Sequence, residues 1–216
     1  MWVLLYVQTN RDRAKCLSDR CDYAIGICGS GNASEDALVW AYKFGAKAAK
    51  RDLVVVSGHA KGIDLESHKG ALQNGGSTIA VLPEGIDNFR LNRELRPYAQ
   101  LGKNLFAVSM FSPNAARKSW RAMDRNKLIV GLSIGIFVVE ARETVGTINA
   151  AMECVRQRKK LWAVAYSNET PERAGNRLLL QDSAIPLTKL RDVKQALGFA
   201  ALNADDDVKQ LAMEMV

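Results

Sequence analysis

A chain of 216 residues can bury one substantial α/β core with a short appendage, and 48% apolar with 25% charged residues is the balance of a globular protein, not a disordered one. The apolar stretch Trp2 to Val7 is far shorter than a bilayer span and has no basic run before it, so neither signal peptide nor membrane anchor is expected. The net charge of +7 favours an anionic partner without selecting one, and the four cysteines (Cys16, Cys21, Cys28, Cys154) lack zinc-ligand spacing and read as reduced thiols of a cytoplasmic protein.

In chain order, the segment from Met1 to Asp22 reads as an edge segment able to add a strand, and Tyr23 to Cys28 as the first strand of a sheet. Ser34 is placed to cap a helix whose residues Ala37, Leu38, Ala41, Gly45 and Ala48 share one face. Leu53 to Val56 is the second strand, and a helix from about Asp64 to Asn74 ends at Gly75-Gly76. Thr78 to Leu82 is the third strand, stopped by the Pro83 to Gly85 turn. Leu105 to Ser109 (strand), Trp120 to Leu132 (helix), Ile134 to Val139 (strand), Thr147 to Arg158 (helix) and Leu161 to Val164 (strand) repeat the alternation. A polar loop from Ser167 to Gly175 follows, with helices at Asp192 to Leu197 and Asp205 to Met215.

The strands lack polar alternation, as expected when helices cover both faces. The pattern predicts an extended Rossmann-like α/β fold: a doubly wound, mainly parallel sheet, with 1–22 as the edge segment, 23–200 as the domain and 201–216 as a helical tail.

In such a sheet, ligands lie at the carboxyl ends of the strands, where glycine lets backbone N–H groups approach a phosphate. Four glycine turns fall there: Gly29-Ser30-Gly31-Asn32, Ser57 to Asp64, Pro83-Glu84-Gly85 and Val145-Gly146-Thr147, with Ser30, Ser57 and Thr147 as hydroxyl donors. The most basic stretch, Arg117-Lys118-Ser119-Trp120-Arg121 to Arg125-Asn126-Lys127, sets a tryptophan among cations, a combination suited to phosphates and unpaired bases. Lys118 and Arg121 read as a solvated helix face. Glu140, ending the fifth strand, is positioned for a ribose hydroxyl or base edge, or for a helix cap or a pairing with Arg142. The run Gly29-x-Gly31-x-x-Ser34 fits a dinucleotide fingerprint only in part, and no P-loop lysine motif occurs, so no cofactor is expected. No spacing of His59 or His68 suggests a metal, and no constellation suggests a nucleophile.

The run Val56-Ser57-Gly58-His59-Ala60-Lys61-Gly62-Ile63-Asp64, then His68 to Leu72, Gly75 to Leu82 and Gly85-Ile86-Asp87, closely resembles the DprA/Smf (DNA-processing protein A) family. So do Arg125-Asn126-Lys127, Val138-Val139-Glu140-Ala141 and Gly146-Thr147; the resemblance covers about residues 24 to 197. It implies binding of single-stranded DNA in a basic pocket, homodimers, loading of the RecA recombinase during transformation, and no catalysis. Carried over residue by residue, the phosphate contacts are Gly29, Ser30, Ser57, Gly58, Lys61, Gly62, Arg125, Asn126, Lys127, Gly146 and Thr147, with Gly31 in the same loop.

The family's arginine after the first Gly-Ser is Gly31 here, its arginine before Gly-Ile-Asp is Lys61, and the last arginine of its Arg-Asn-Arg block is Lys127. The N-terminal helical and C-terminal winged-helix domains of many members are absent from this sequence, which therefore reads as a minimal or divergent member. Two alternatives stay open: a nucleotide-binding sensor using the same pocket, and a LOG-type nucleotide phosphoribohydrolase. The second would need Glu140 to replace a glutamate missing at Ala150.

Overall fold

The computed structural model describes residues 6–8, 23–143 and 145–198. Eight strands form one sheet: β1 (Tyr6–Gln8), β2 (Ala24–Cys28), β3 (Val54–Ser57), β4 (Thr78–Val81), β5 (Leu105–Ser109), β6 (Gly135–Val138), β7 (Lys160–Val164) and β8 (Ile185–Leu187). Their spatial order is β1-β5-β4-β3-β2-β6-β7-β8. Only the edge strand β1 runs antiparallel, against β5. The expected mainly parallel, doubly wound architecture is the one observed.

Helices α1 (Glu35–Ala49), α2 (Ile63–Gln73), α3 (Ser119–Asp124), α4 (Asn126–Gly131), α5 (Val145–Arg156), α6 (Ala174–Asp182) and α7 (190–198) cover the sheet. The period-two alternation of each strand decides which helix it meets. Ile25, Ile27 and Val55 pack with Ala41, Phe44 and Ala48 of α1 and with Val193 and Leu197 of α7. Cys28, Val56 and Val138 pack on the other face with Ile129, Ala150, Cys154 and Leu179, from α4, α5 and α6. Both faces are therefore dry, and the inner strands are mostly apolar, with Ser57, Thr78 and Ser109 buried at strand ends.

Two stretches differ from the sequence reading. The helix expected from Trp120 to Leu132 is broken at Arg125, whose carbonyl accepts from both Leu128 N–H (2.9 Å) and Ile129 N–H (3.2 Å). The short α4 that results is closed by the Lys159 ammonium, which donates to the carbonyls of Val130, Gly131 and Ser133 at 2.6–2.9 Å. The polar loop expected from Ser167 to Gly175 contains a 3₁₀ turn (Pro171–Arg173) and the start of α6, and β8 follows it. Pro186 masks β8 in the sequence, but on an edge strand its missing N–H forfeits no ladder bond. The expected helix at Asp205 to Met215 lies outside the described residues. Among the described residues, no helix is long and apolar enough to cross a membrane.

Among the buried polar groups, one titrates near neutral pH in the unfolded chain. His68 of α2 is fully buried, and its Nδ1 donates to Thr78 Oγ1, because the threonine hydroxyl is already donating to the Val55 carbonyl (2.8 Å). Burial, reinforced by His59 and Arg125, holds its pKa well below the usual histidine value. The unfolded chain thus binds a proton below about pH 6.5 that the native chain refuses, so stability is full above that pH and falls as pH drops. Urea denaturation between pH 7 and 5 should show this as a slope of up to about 1.4 kcal/mol per pH unit, flattened in His68→Leu.

Candidate anion-binding cleft

The chain leaves β2 toward α1 on one face and β6 toward α5 on the other, so a crevice opens between their carboxyl ends. The Ser30 N–H donates across it to the Glu140 carbonyl at 2.8 Å, fixing the Gly29–Asn32 turn against the end of β6. A cleft of about 290 Å³ results. Gly29, Ser30 and Gly31 form one wall, Gly146 and Thr147 in the first turn of α5 another, and Arg125 and Asn126 the base, with Ala60 and Asp64 beside them.

Local geometry explains the glycines. Gly62 adopts φ +71° at the start of α2, and a Cβ there would come within 2.5 Å of the Ser30 carbonyl, so the second loop can nest against the first only without a side chain. Gly58 is the seat of Arg125: a Cβ would lie 1.7–2.1 Å from the guanidinium atoms. Gly31, in contrast, faces open space, its nearest neighbour being the Lys61 carbonyl at 3.8 Å.

Arg125 is the central cation. Its side chain is 8% exposed, Nη2 lies 3.9 Å from Asp64 Oδ2, and its buried Nε has no partner. Burial lowers its pKa, opposed by the Asp64 carboxylate and Cys28, but a guanidinium stays charged at any working pH. Asp64 also accepts from the Ala60 N–H at 3.2 Å, tying the second loop to the cation. Cys28 beneath is inert, since burial, with Asp64, pushes its thiol far up.

Of the residues singled out from sequence, Gly29, Ser30, Gly31, Arg125, Asn126, Gly146 and Thr147 line the cleft. Others do not serve as expected. The Ser57 hydroxyl donates to the Ile27 carbonyl at 2.6 Å and is fully buried, so it stitches β3 to β2 and offers nothing to a ligand. Lys127 points outward and pairs with Asp124 at 2.5 Å. Asn126 spends its amide nitrogen on the Gly146 carbonyl and Asn149, bracing α4 against α5. Lys61 is exposed, outside the cleft lining, while Gly58 and Gly62 shape it from behind.

Glu140 also departs from its expected ribose contact. Fully buried, its carboxylate accepts from the Ser34 N–H (3.0 Å) and hydroxyl, at the start of α1, and lies 3.5 Å from Arg173 Nε. It pairs with Arg173, not Arg142, which instead bridges to Glu172 at 2.9 Å. Accordingly Ser34 starts α1 without a side-chain cap of its own.

Sequence reading missed Asp64 as the counter-charge and Arg142 as a cleft wall. Asp64 could have been found as an acid in the first turn of a glycine-led helix, but nothing in sequence locates Arg125 opposite it.

The fold and cleft define a doubly wound α/β protein with a preformed cleft, lined by Arg125 and Arg142, at the switch point of its sheet. Residues 5–198 match the model of the DNA recombination-mediator protein A family, and the chain belongs to that family. It is 33% identical over 199 residues to DNA processing protein DprA of Streptococcus pneumoniae, covering 91% of this chain and 67% of that one. To Protein Smf of Escherichia coli it is 31% identical over 178 residues, 82% of this chain and 48% of the relative. The chain thus spans about half to two thirds of these relatives' length. The crystal structure of the S. pneumoniae protein matches with TM-score 0.74 and 30% identity over 88% of this chain and 64% of that chain. DNA processing protein A of Helicobacter pylori, solved for its single-stranded DNA binding mode, shares the fold with TM-score 0.75 at 21% identity, covering 89% and 86%.

Ser57→Ala separates the structural from the ligand role of that hydroxyl. It should cost about 1 kcal/mol in urea denaturation and leave oligonucleotide affinity unchanged; a selective loss of affinity would return Ser57 to the site.

Proposed function

We propose that the cleft holds backbone phosphates of single-stranded DNA and that the protein acts in DNA processing as a binding protein, not an enzyme. The observation that carries the reading is Arg125. A buried guanidinium with an unpartnered Nε lies at the base of a cleft walled by a glycine turn and the N-terminus of the twelve-residue α5. A helix N-terminus and an arginine fork favour the same ligand, a phosphate.

Single strands are favoured over duplex by the rim. Trp120 is 51% exposed and packs edge-to-face on Phe111 (centroids 6.1 Å), with Arg121 beside both rings, its Cζ 5.1 Å from each centroid. Met123, in the same short helix, lines the cleft. An accessible indole beside a phosphate site stacks on an unpaired base, which a duplex does not offer. Arg121, read from sequence as solvated, is part of this shelf. The single-strand binding described for the H. pylori relative supports the same ligand.

The phosphoribohydrolase alternative loses its substitute acid, because the Glu140 carboxylate is committed to Ser34 and Arg173. The mononucleotide sensor is favoured by one feature, the absence of a side chain at Gly31. Homodimerisation, delivery of the strand to RecA and a cytoplasmic location extend the main reading on the strength of family membership.

Fluorescence polarisation of a labelled single strand across a salt series tests the proposal, with duplex and mononucleotide as competitors. Affinity should fall with log salt at about −0.7 per phosphate contacted. No strand binding, together with thermal stabilisation by a mononucleotide, would support the sensor. Arg125→Lys keeps the charge opposite Asp64 but loses the fork, and should weaken binding about tenfold with folding retained. Gly31→Arg has room for its side chain and should tighten binding, steepening the salt slope by about 0.7; an unchanged slope would place the strand elsewhere.

A further inference from the structure

We infer that a second cavity, beyond the end of β7, is a nucleobase pocket. It has a volume of about 460 Å³ and lies between the segment 165–173 and α6. The Arg142–Glu172 ion pair forms the ridge between it and the cleft. Arg142 lines the cleft, and Glu172 stands between Pro171 and Arg173, both of which line the second cavity.

The chemistry of Arg173 identifies the ligand class. Its Cζ sits 3.9 Å from the centre of the Tyr166 ring, so one face of the guanidinium is covered. Its edge is spent: Nε faces Glu140 at 3.5 Å, Nη1 donates to Asn168 Oδ1, and Nη2 donates to both Asp36 oxygens at 2.6 Å and to the Ser34 hydroxyl at 3.2 Å. Two carboxylates offset its charge, so it is a poor anion receptor. Arg173 lines the cavity with its side chain 7% exposed; with one face and the edge taken, its second face is the part proposed to meet a ligand, and a guanidinium face takes a flat π system.

Part of the remaining wall suits the same occupant, beside the Glu169–Arg177 ion pair at 3.0 Å. Val164, Pro171, Ala174 and Leu180 give apolar surface for the plane of a ring, while Thr170 and Gln181 offer a hydroxyl and an amide for its edge. Three parallel layers would result, base on guanidinium on tyrosine. The base can come from the strand held in the cleft, crossing the Arg142–Glu172 ridge, or from a free nucleoside. The first source rests on the DNA reading and the second does not.

The full chain is mixed with an oligothymidine of roughly ten residues carrying 4-thiothymidine, irradiated, and the cross-linked peptides mapped by mass spectrometry. Separately, thymidine and adenosine are titrated by calorimetry. Cross-links within residues 164–181, reduced about tenfold in Ala174→Met, which fills the cavity, establish the strand as the source. The wild-type map stands even if that variant folds poorly. Nucleoside binding that Ala174→Met abolishes, with cross-links elsewhere, establishes the free ligand. An oligonucleotide that binds but cross-links only outside 164–181, with no nucleoside binding, overturns the pocket and leaves the DNA reading intact. If no oligonucleotide binds, the DNA reading fails and the nucleoside titration alone decides the pocket.

Discussion

Strands β2 and β6 lie side by side and parallel, yet the chain leaves one toward α1 and the other toward α5. That divergence leaves the carboxyl ends of both strands without a helix above them, and the Ser30 N–H to Glu140 carbonyl bond holds the gap at a fixed width. The cleft therefore needs no ligand to form. The Gly29–Asn32 turn and the first turn of α5 are in place beside it, which would lower the ordering cost of the proposed binding.

Glu140 serves both sides of the same seam. Its carbonyl sets the Gly29–Asn32 turn, and its carboxylate fixes the start of α1 and steadies Arg173. A carboxylate buried this deeply is tolerated because its partners are a cation, a hydroxyl and a backbone donor. Arg125 follows the opposite design: it is buried beside a single acid at 3.9 Å, with a donor left over. The fully satisfied arginine is an architectural joint, and the under-satisfied one is the group that the proposed phosphate ligand would meet.

Much of this was legible in the sequence. β-Branched runs between glycines gave the inner strands nearly residue for residue, because strands dry on both faces carry no competing polar signal. The Gly29–Asn32 and Ser57–Asp64 turns follow strand ends beside the cleft, Gly146-Thr147 reaches it as the first turn of α5, and the Pro83–Gly85 turn lies outside its lining. What the sequence hid was direction. Ser57 sits among ligand-type residues yet turns inward to the Ile27 carbonyl, and Lys127, in the same block as Arg125, turns outward to Asp124. A one-residue step reverses the face of a strand and rotates a helix by about 100°. The role of Glu140 was hidden for another reason: its partners Ser34 and Arg173 are distant in sequence and meet only when the sheet is assembled. The α6–β8 segment was lost because Pro186 and the surrounding polar residues resemble a loop until the edge position of β8 is known.

On the proposed reading, the Arg125 cleft takes strand phosphates. Single methylphosphonate substitutions, walked along a bound oligonucleotide, remove one backbone charge at a time. The loss of affinity should concentrate at one or two adjacent linkages and shrink in Arg125→Lys. Equal affinity for every substituted strand would contradict it.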